Sequence, residues 1–140
     1  MPAAQDVARF FEKVDLPTDP DDCWLWNGAT TYTGYGLIRW PDYPAKGPGR
    51  AARIAYEMFY DAIPRGLEID HWCNQPGCVN PTHLRAITHR ANTLRSRNPC
   101  AVNARKTHCV RGHAFTPENI YPNNGGAHTR KCKTCTLMRM

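Results

Sequence analysis

Two groups of cysteine and histidine constrain this chain more than any other feature. Cys73-x4-Cys78-x4-His83 sets three soft or borderline metal ligands within eleven residues. Cys109-x3-His113 and Cys132-x2-Cys135 form a second set nearer the C-terminus. Structural zinc is nearly always four-coordinate, so the first group needs one more ligand. Cys23 is the choice, because it opens an aromatic segment that would pair beside the loop; Cys100 and His89 are the competitors. The second group is a complete two-plus-two set, and the Asn123-Asn124-Gly125-Gly126 turn would bring its halves together.

The composition makes metal more attractive than disulfides. With 12 Pro and 10 Gly in 140 residues, much of the chain must be loop and the core thin. Seven Cys would leave one unpaired in a disulfide framework. No charged-then-apolar leader opens the chain, and no apolar run approaches the roughly 20 residues of a membrane span. A cytoplasmic protein holding two structural Zn²⁺ is therefore expected, since bound zinc contributes folding free energy directly. Eighteen Lys and Arg against twelve Asp and Glu give +6. Two sites of three thiolates and one imidazole, each about −1 with its ion, would lower this to about +4. The excess favours a polyanion such as nucleic acid, although an anionic membrane surface satisfies the same charge.

Val7, Phe10, Phe11 and Val14 recur at helical spacing, so residues 4–14 predict a helix packed on the core. Cys23 to Trp40 reads as two short strands joined by a turn, and 41–50 as a Pro/Gly loop. A helix is predicted from Ala51 to Tyr60 with Ile54 and Met58 inward. Leu67–Asp70 reads as a strand, Leu84–Thr88 as another, and Thr88 can cap a helix to about Arg97. Residues 99–108 read as a basic linker. The division is thus 1–98, a domain with an N-terminal helix, and 99–140, a linker with a Cys/His zinc module.

Asp70-His71 enters the first Cys/His loop, and Asn92 lies on the helix that follows it. Neighbours on a strand point to opposite faces, but at a strand end running into a tight loop both can approach one site. Phosphodiester hydrolysis needs a base to activate water, a cation to neutralise the leaving oxygen, and ligands for that cation. An imidazole, titrating near 6.5 when unperturbed, suits the base role. A carboxylate and an amide oxygen suit a hard cation such as Mg²⁺.

These residues resemble the HNH, or His-Me finger (ββα-metal), endonucleases, especially the phage and intron-encoded type with a zinc-bound loop. The resemblance runs through Cys23-Trp24-Leu25-Trp26, Gly34-Tyr35-Gly36, Arg53-Ile54-Ala55-Tyr56-Glu57, Ile63-Pro64-Arg65-Gly66-Leu67 and Asp70-His71. It continues with Cys73, Cys78-Val79-Asn80-Pro81-Thr82-His83-Leu84 and Asn92, covering roughly residues 20–97. It implies a small α+β, zinc-stabilised ββα-metal fold with an extra β-ribbon and a C-terminal zinc module. It also implies His71 as general base, Asp70 and Asn92 as ligands of one catalytic Mg²⁺ (or Mn²⁺ or Ca²⁺), and Asn80 as the loop's buttress. His83 departs from colicin-type members: it looks like a ligand of the first zinc, as in His-Cys box homing endonucleases. Family members place an arginine near the scissile phosphate; Arg53 is taken here, with Arg39 and Arg95 as alternatives. The implied substrate is double-stranded DNA in a bacterial or phage-infected cell. The 31–50 segment (Tyr32, Tyr35, Arg39, Trp40, Lys46, Arg50) is the candidate reading surface, its aromatics expected in the core, and Arg90, Arg95 and Arg97 are expected to position phosphates. A homodimer would make a double-strand break, and a monomer would nick. The rival reading is a non-catalytic zinc-finger DNA-binding protein on the same scaffold.

Overall fold

Phe10 is the centre of the core, 1% exposed, with the rings of Trp26, Phe11 and Trp40 at 5.1, 5.5 and 6.2 Å. A computed structural model of the chain describes residues 2–41, 43, 48–121 and 130–139. It divides into two compact units, Met1–His89 and Arg90–Met140.

In the first unit, helix α1 (Ala4–Phe11) is shorter than the apolar stripe that predicts it. Val14 is buried as expected, but as part of strand β1 (Val14–Asp15), which pairs with β2 (Leu25–Trp26). The stripe therefore marks burial correctly and misplaces the helix end. The expected pairing within Cys23–Trp40 also changes. The turn is present, with Thr30 bridging Gly36 and Leu37 N–H donating to Ala29 at 2.8 Å. However, β3 (Leu37–Ile38) takes β4 (Gly49–Arg50) as its ladder partner. The cause lies at Trp26: it turns into the core, and its indole N–H is held by the Ala29 carbonyl at 3.0 Å. Asn27 and Gly28, poor strand formers, then end β2.

Helix α2 (Ala51–Phe59) buries Ala51, Ala52, Ile54 and Ala55 and packs against β5 (Leu67–His71) and β6 (Leu84–Thr88). Strands β5 and β6 pair antiparallel from Leu67↔Thr88 to His71↔Leu84. The Cys/His loop joins them and closes with a 3₁₀ turn, Pro81–His83. Helix α3 (His89–Arg95) follows directly in the chain, belongs from Arg90 onward to the second unit, and ends before the Arg97 expected for it. The result is a small α+β fold with a ββα order around the loop.

The second unit is short on apolar residues. Pro99–Arg105, in the segment read as a linker, forms helix α4. Asn98 caps it, its Oδ1 accepting from Ala101 N–H at 2.8 Å, and Pro99 occupies the first turn, where its missing N–H costs nothing. Beyond it lie bridges His108↔Ala114 and Ile120↔Cys132, a 3₁₀ turn at Pro117–Asn119, and α5 (Lys133–Leu137). The predicted Gly125-Gly126 turn lies outside the described residues. Among the described residues no helix is long and apolar enough to cross a membrane.

Candidate active site and metal centres

Cys23, Cys73, Cys78 and His83 converge, their ligand atoms all within 4.8 Å of one another. His83 Nδ1 lies 3.6 Å from Cys23 Sγ and 3.5 Å from Cys78 Sγ. A tetrahedral zinc with bonds of about 2.3 Å to sulfur and 2.05 Å to nitrogen needs S···N edges of about 3.6 Å. The cluster fits that ion. Cys23 arrives because residues 24–26 run beside the loop: Trp26 N–H donates to Gly77 and Val79 N–H to Trp24, each at 2.9 Å. Of its competitors, His89 meets Glu68 at 2.8 Å, and Cys100 is exposed on α4. Burial pushes the Cys78 thiol up to about 12, against an opposing N–H from Asn80. Burial and then Cys73 raise Cys23.

Asn80 is fully buried and uses its whole amide. Its Oδ1 accepts from Thr82 N–H at 3.0 Å and Thr82 Oγ1 at 2.8 Å. Its Nδ2 donates to Pro20 and Asp22 carbonyls at 3.0 and 2.8 Å. It thus ties the approach to Cys23 onto the turn that carries His83. Asn80→Ala is expected to lower unfolding free energy by about 2 kcal/mol and to weaken zinc retention, read by urea titration with and without a chelator.

The second set, Cys109, His113, Cys132 and Cys135, also converges within 4.8 Å. His113 Nδ1 stands 3.5, 3.2 and 3.8 Å from Cys109, Cys135 and Cys132, and Cys109 is 3.6 Å from Cys135. All seven cysteines are free, so neither cluster is a disulfide. Asn119, which spacing alone did not single out, does here what Asn80 does in the first cluster. Its Oδ1 accepts from Thr134 N–H and Oγ1 at 3.1 and 2.7 Å, and its Nδ2 donates to Ala114 at 2.7 Å. The Cys135 N–H pulls the Cys132 thiol below its ordinary range, while burial and the neighbouring thiols push Cys135 up to about 11. Of the module's cations, Arg130 lies over Phe115 at 4.6 Å and donates to the Asn103 carbonyl, and Lys133 lies over Tyr121 at 5.8 Å.

Asp70 and His71 end β5, each 8% exposed. His71 Nε2 is 3.1 Å from the Cys78 carbonyl. A carbonyl only accepts, so Nε2 carries a proton, and in the neutral ring the lone pair then lies on Nδ1. The zinc-cluster loop therefore sets the tautomer. Asp70 Oδ2 accepts from Arg85 Nε at 2.9 Å, the two facing each other across the ladder. Arg85 also lies over Trp72 at 4.2 Å. Arg85 was missed from sequence; the signal was there, since pairing Leu84–Thr88 against the β5 strand puts Arg85 opposite Asp70.

The other expected site residues lie on several elements of the chain. Arg53, on α2, donates through Nε to Tyr43 Oη at 2.7 Å. Arg50 is exposed and lies over Tyr35 at 4.9 Å; the Tyr35 ring in turn lies 5.7 Å from that of His71. Arg39 is exposed, its carbonyl accepting from Arg9 at 2.8 Å. Lys46 lies outside the described residues. Asn92 and Arg95 are half-buried on α3, where Arg90 is exposed, and Arg97 is exposed beyond it. Of the aromatics expected in the core, Trp40 packs there, whereas Tyr32 is fully exposed.

Two paired strands whose joining loop is closed by a zinc-competent Cys₃His cluster, with an Asp-His pair at the strand end and a helix next in the chain, define a class of nuclease scaffold. The comparisons agree with that class. The HNH endonuclease family matches residues 50–94. The chain is 30% identical over 113 residues to Protein 2.8 of Escherichia phage T7, covering 80% of this chain and 69% of that one. It is 33% identical over 73 residues to Protein 7.7 of the same phage, covering 52% of this chain and 53% of that relative. No solved structure matches. This chain belongs to the HNH endonuclease family, and its β5–β6 loop carries a zinc-competent Cys₃His cluster.

Proposed function

We propose that the protein hydrolyses phosphodiester bonds of double-stranded DNA, with residues 1–98 forming the nuclease domain and 99–140 an accessory zinc module. The observation that carries this reading is the His71 tautomer. With Nε2–H donated to the Cys78 carbonyl, Nδ1 is the atom that takes a proton from water. The resulting hydroxide attacks phosphorus, the P–O3′ bond breaks, and the products are a 5′-phosphate and a 3′-hydroxyl once the leaving oxygen is protonated.

Asp70, oriented by Arg85, and Asn92 offer the hard oxygen donors that Mg²⁺, Mn²⁺ or Ca²⁺ prefers. When bound, such a cation supplies charge neutralisation at the leaving oxygen. Arg53, steered by Tyr43, meets the DNA backbone, and Arg39, Lys46, Arg50, Arg90, Arg95 and Arg97 add contacts to the duplex. The two Cys/His clusters hold structural Zn²⁺ and take no part in the chemistry.

The test is supercoiled plasmid incubated with the zinc-loaded protein and Mg²⁺. Nicked or linear product that EDTA suppresses is expected, linear product being the mark of a homodimer. Plasmid that stays supercoiled while still being bound would overturn the reading in favour of a non-catalytic DNA-binding protein.

A further inference from the structure

Tyr35 is held in place more firmly than a surface tyrosine needs to be. Gly34 before it has φ of +89°, a backbone conformation that side chains with a Cβ rarely adopt. Gly36 after it lies so close to Trp26 that a Cβ there would stand 2.7 Å from the indole. Thr31 closes the turn: its N–H donates to the Tyr35 carbonyl at 2.8 Å, and its Oγ1 accepts from the Tyr35 N–H at 3.1 Å. The backbone is thereby fixed on both sides of Tyr35.

That ring is aimed at the site. It meets the His71 imidazole with centroids 5.7 Å apart and planes inclined by 56°, within the 4.5–7 Å range in which aromatic pairs attract. The Arg50 guanidinium lies 4.9 Å from the centre of the same ring. The Cys78 carbonyl restrains the imidazole at one atom, Nε2. A ring packed against the imidazole opposes its rotation about that contact.

We propose that Tyr35 is a positioning residue of the reaction. It holds the His71 imidazole against rotation, and the same ring carries the Arg50 guanidinium. The inference rests on the nuclease reading for its kinetic consequence, because a base displaced by about 1 Å can cost a hundredfold in rate. It rests on the geometry alone for its structural one.

The test uses the full-length, zinc-loaded chain. Tyr35→Phe keeps the ring and is expected to hold kcat within about threefold of wild type. Tyr35→Leu keeps bulk without a ring and is expected to lower kcat at least tenfold, with KM for DNA changed less than threefold. A Leu variant as fast as wild type, or a Phe variant as slow as the Leu variant, overturns the proposal. Imidazole NMR gives a readout free of activity. Wild type is expected to show one Nε2–H tautomer for His71 and a nuclear Overhauser contact between the Tyr35 and His71 rings. Absence of that contact overturns the proposal even if the Leu variant does not fold. A wild type that cuts no DNA removes the nuclease reading and leaves this spectrum to decide the inference alone.

Discussion

His71→Ala is expected to lower Mg²⁺-dependent DNA cleavage by about 10²–10⁴-fold, the usual contribution of a positioned general base. Affinity for DNA should change little, because in the proposed function the contacts to the duplex come from arginines and lysines elsewhere. The substitution also removes the donor to the Cys78 carbonyl, so unfolding free energy is expected to fall by about 1 kcal/mol. His71→Gln separates the two effects, since its amide can donate to that carbonyl and cannot act as a base. Initial rates on a labelled duplex, beside zinc content and thermal melting, check the prediction. A Gln variant cleaving at the wild-type rate would remove His71 from the chemistry.

Stripping zinc from the first cluster is expected to be the larger structural effect. Structural zinc in small modules binds with an apparent free energy of about 10–16 kcal/mol, against a total stability of about 5–15 kcal/mol for a domain. The loop between β5 and β6 has few apolar residues of its own, so EDTA or Cys78→Ser is expected to abolish cooperative unfolding and cleavage together. Circular dichroism against zinc content, with restoration by added Zn²⁺, is the measurement. A chelated protein that melts as the zinc-loaded one does would show that the cluster is dispensable.

The direction with pH follows from the thiols. Cys78, raised to about 12, and Cys135, raised to about 11, keep their protons at neutral pH when no metal is bound. Binding Zn²⁺ must release those protons. Affinity therefore rises with pH and falls on acidification, and metal competition measured at pH 6 and pH 8 should show weaker binding at the lower value.

Much of the site was legible in the sequence because its chemistry depends on residue type and short spacing. Cys73, Cys78 and His83 are close along the chain, and a loop of that length brings them within reach of one ion whatever surrounds it. Cys23 could be named because an aromatic segment has to bury itself somewhere, and beside the loop was the economical place. Asp70 and His71 were visible as neighbours entering that loop, and strand Leu84–Thr88 was read with both ends as observed.

What the sequence left open were relations between residues far apart in the chain. Phe10, Phe11 and Val14 read as one helical stripe, yet Val14 is a strand residue, because ladder pairing with Trp26 outweighs a last helical turn. The 99–105 helix was hidden behind Pro99, which breaks a helix interior but suits a first turn. Chain chemistry by itself determined which atoms are available: thiolates and imidazoles for zinc, and a carboxylate and an imidazole for hydrolysis. Only the tertiary structure decided how they are held. The strand register put Arg85 on Asp70, the loop carbonyl of Cys78 chose the His71 tautomer, and a turn pinned by Gly34 and Gly36 set Tyr35 against the imidazole. The physical reason is that composition and spacing set local chemistry, whereas a hydrogen bond or a ring contact needs two distant atoms placed within a few tenths of an ångström, and packing alone does that.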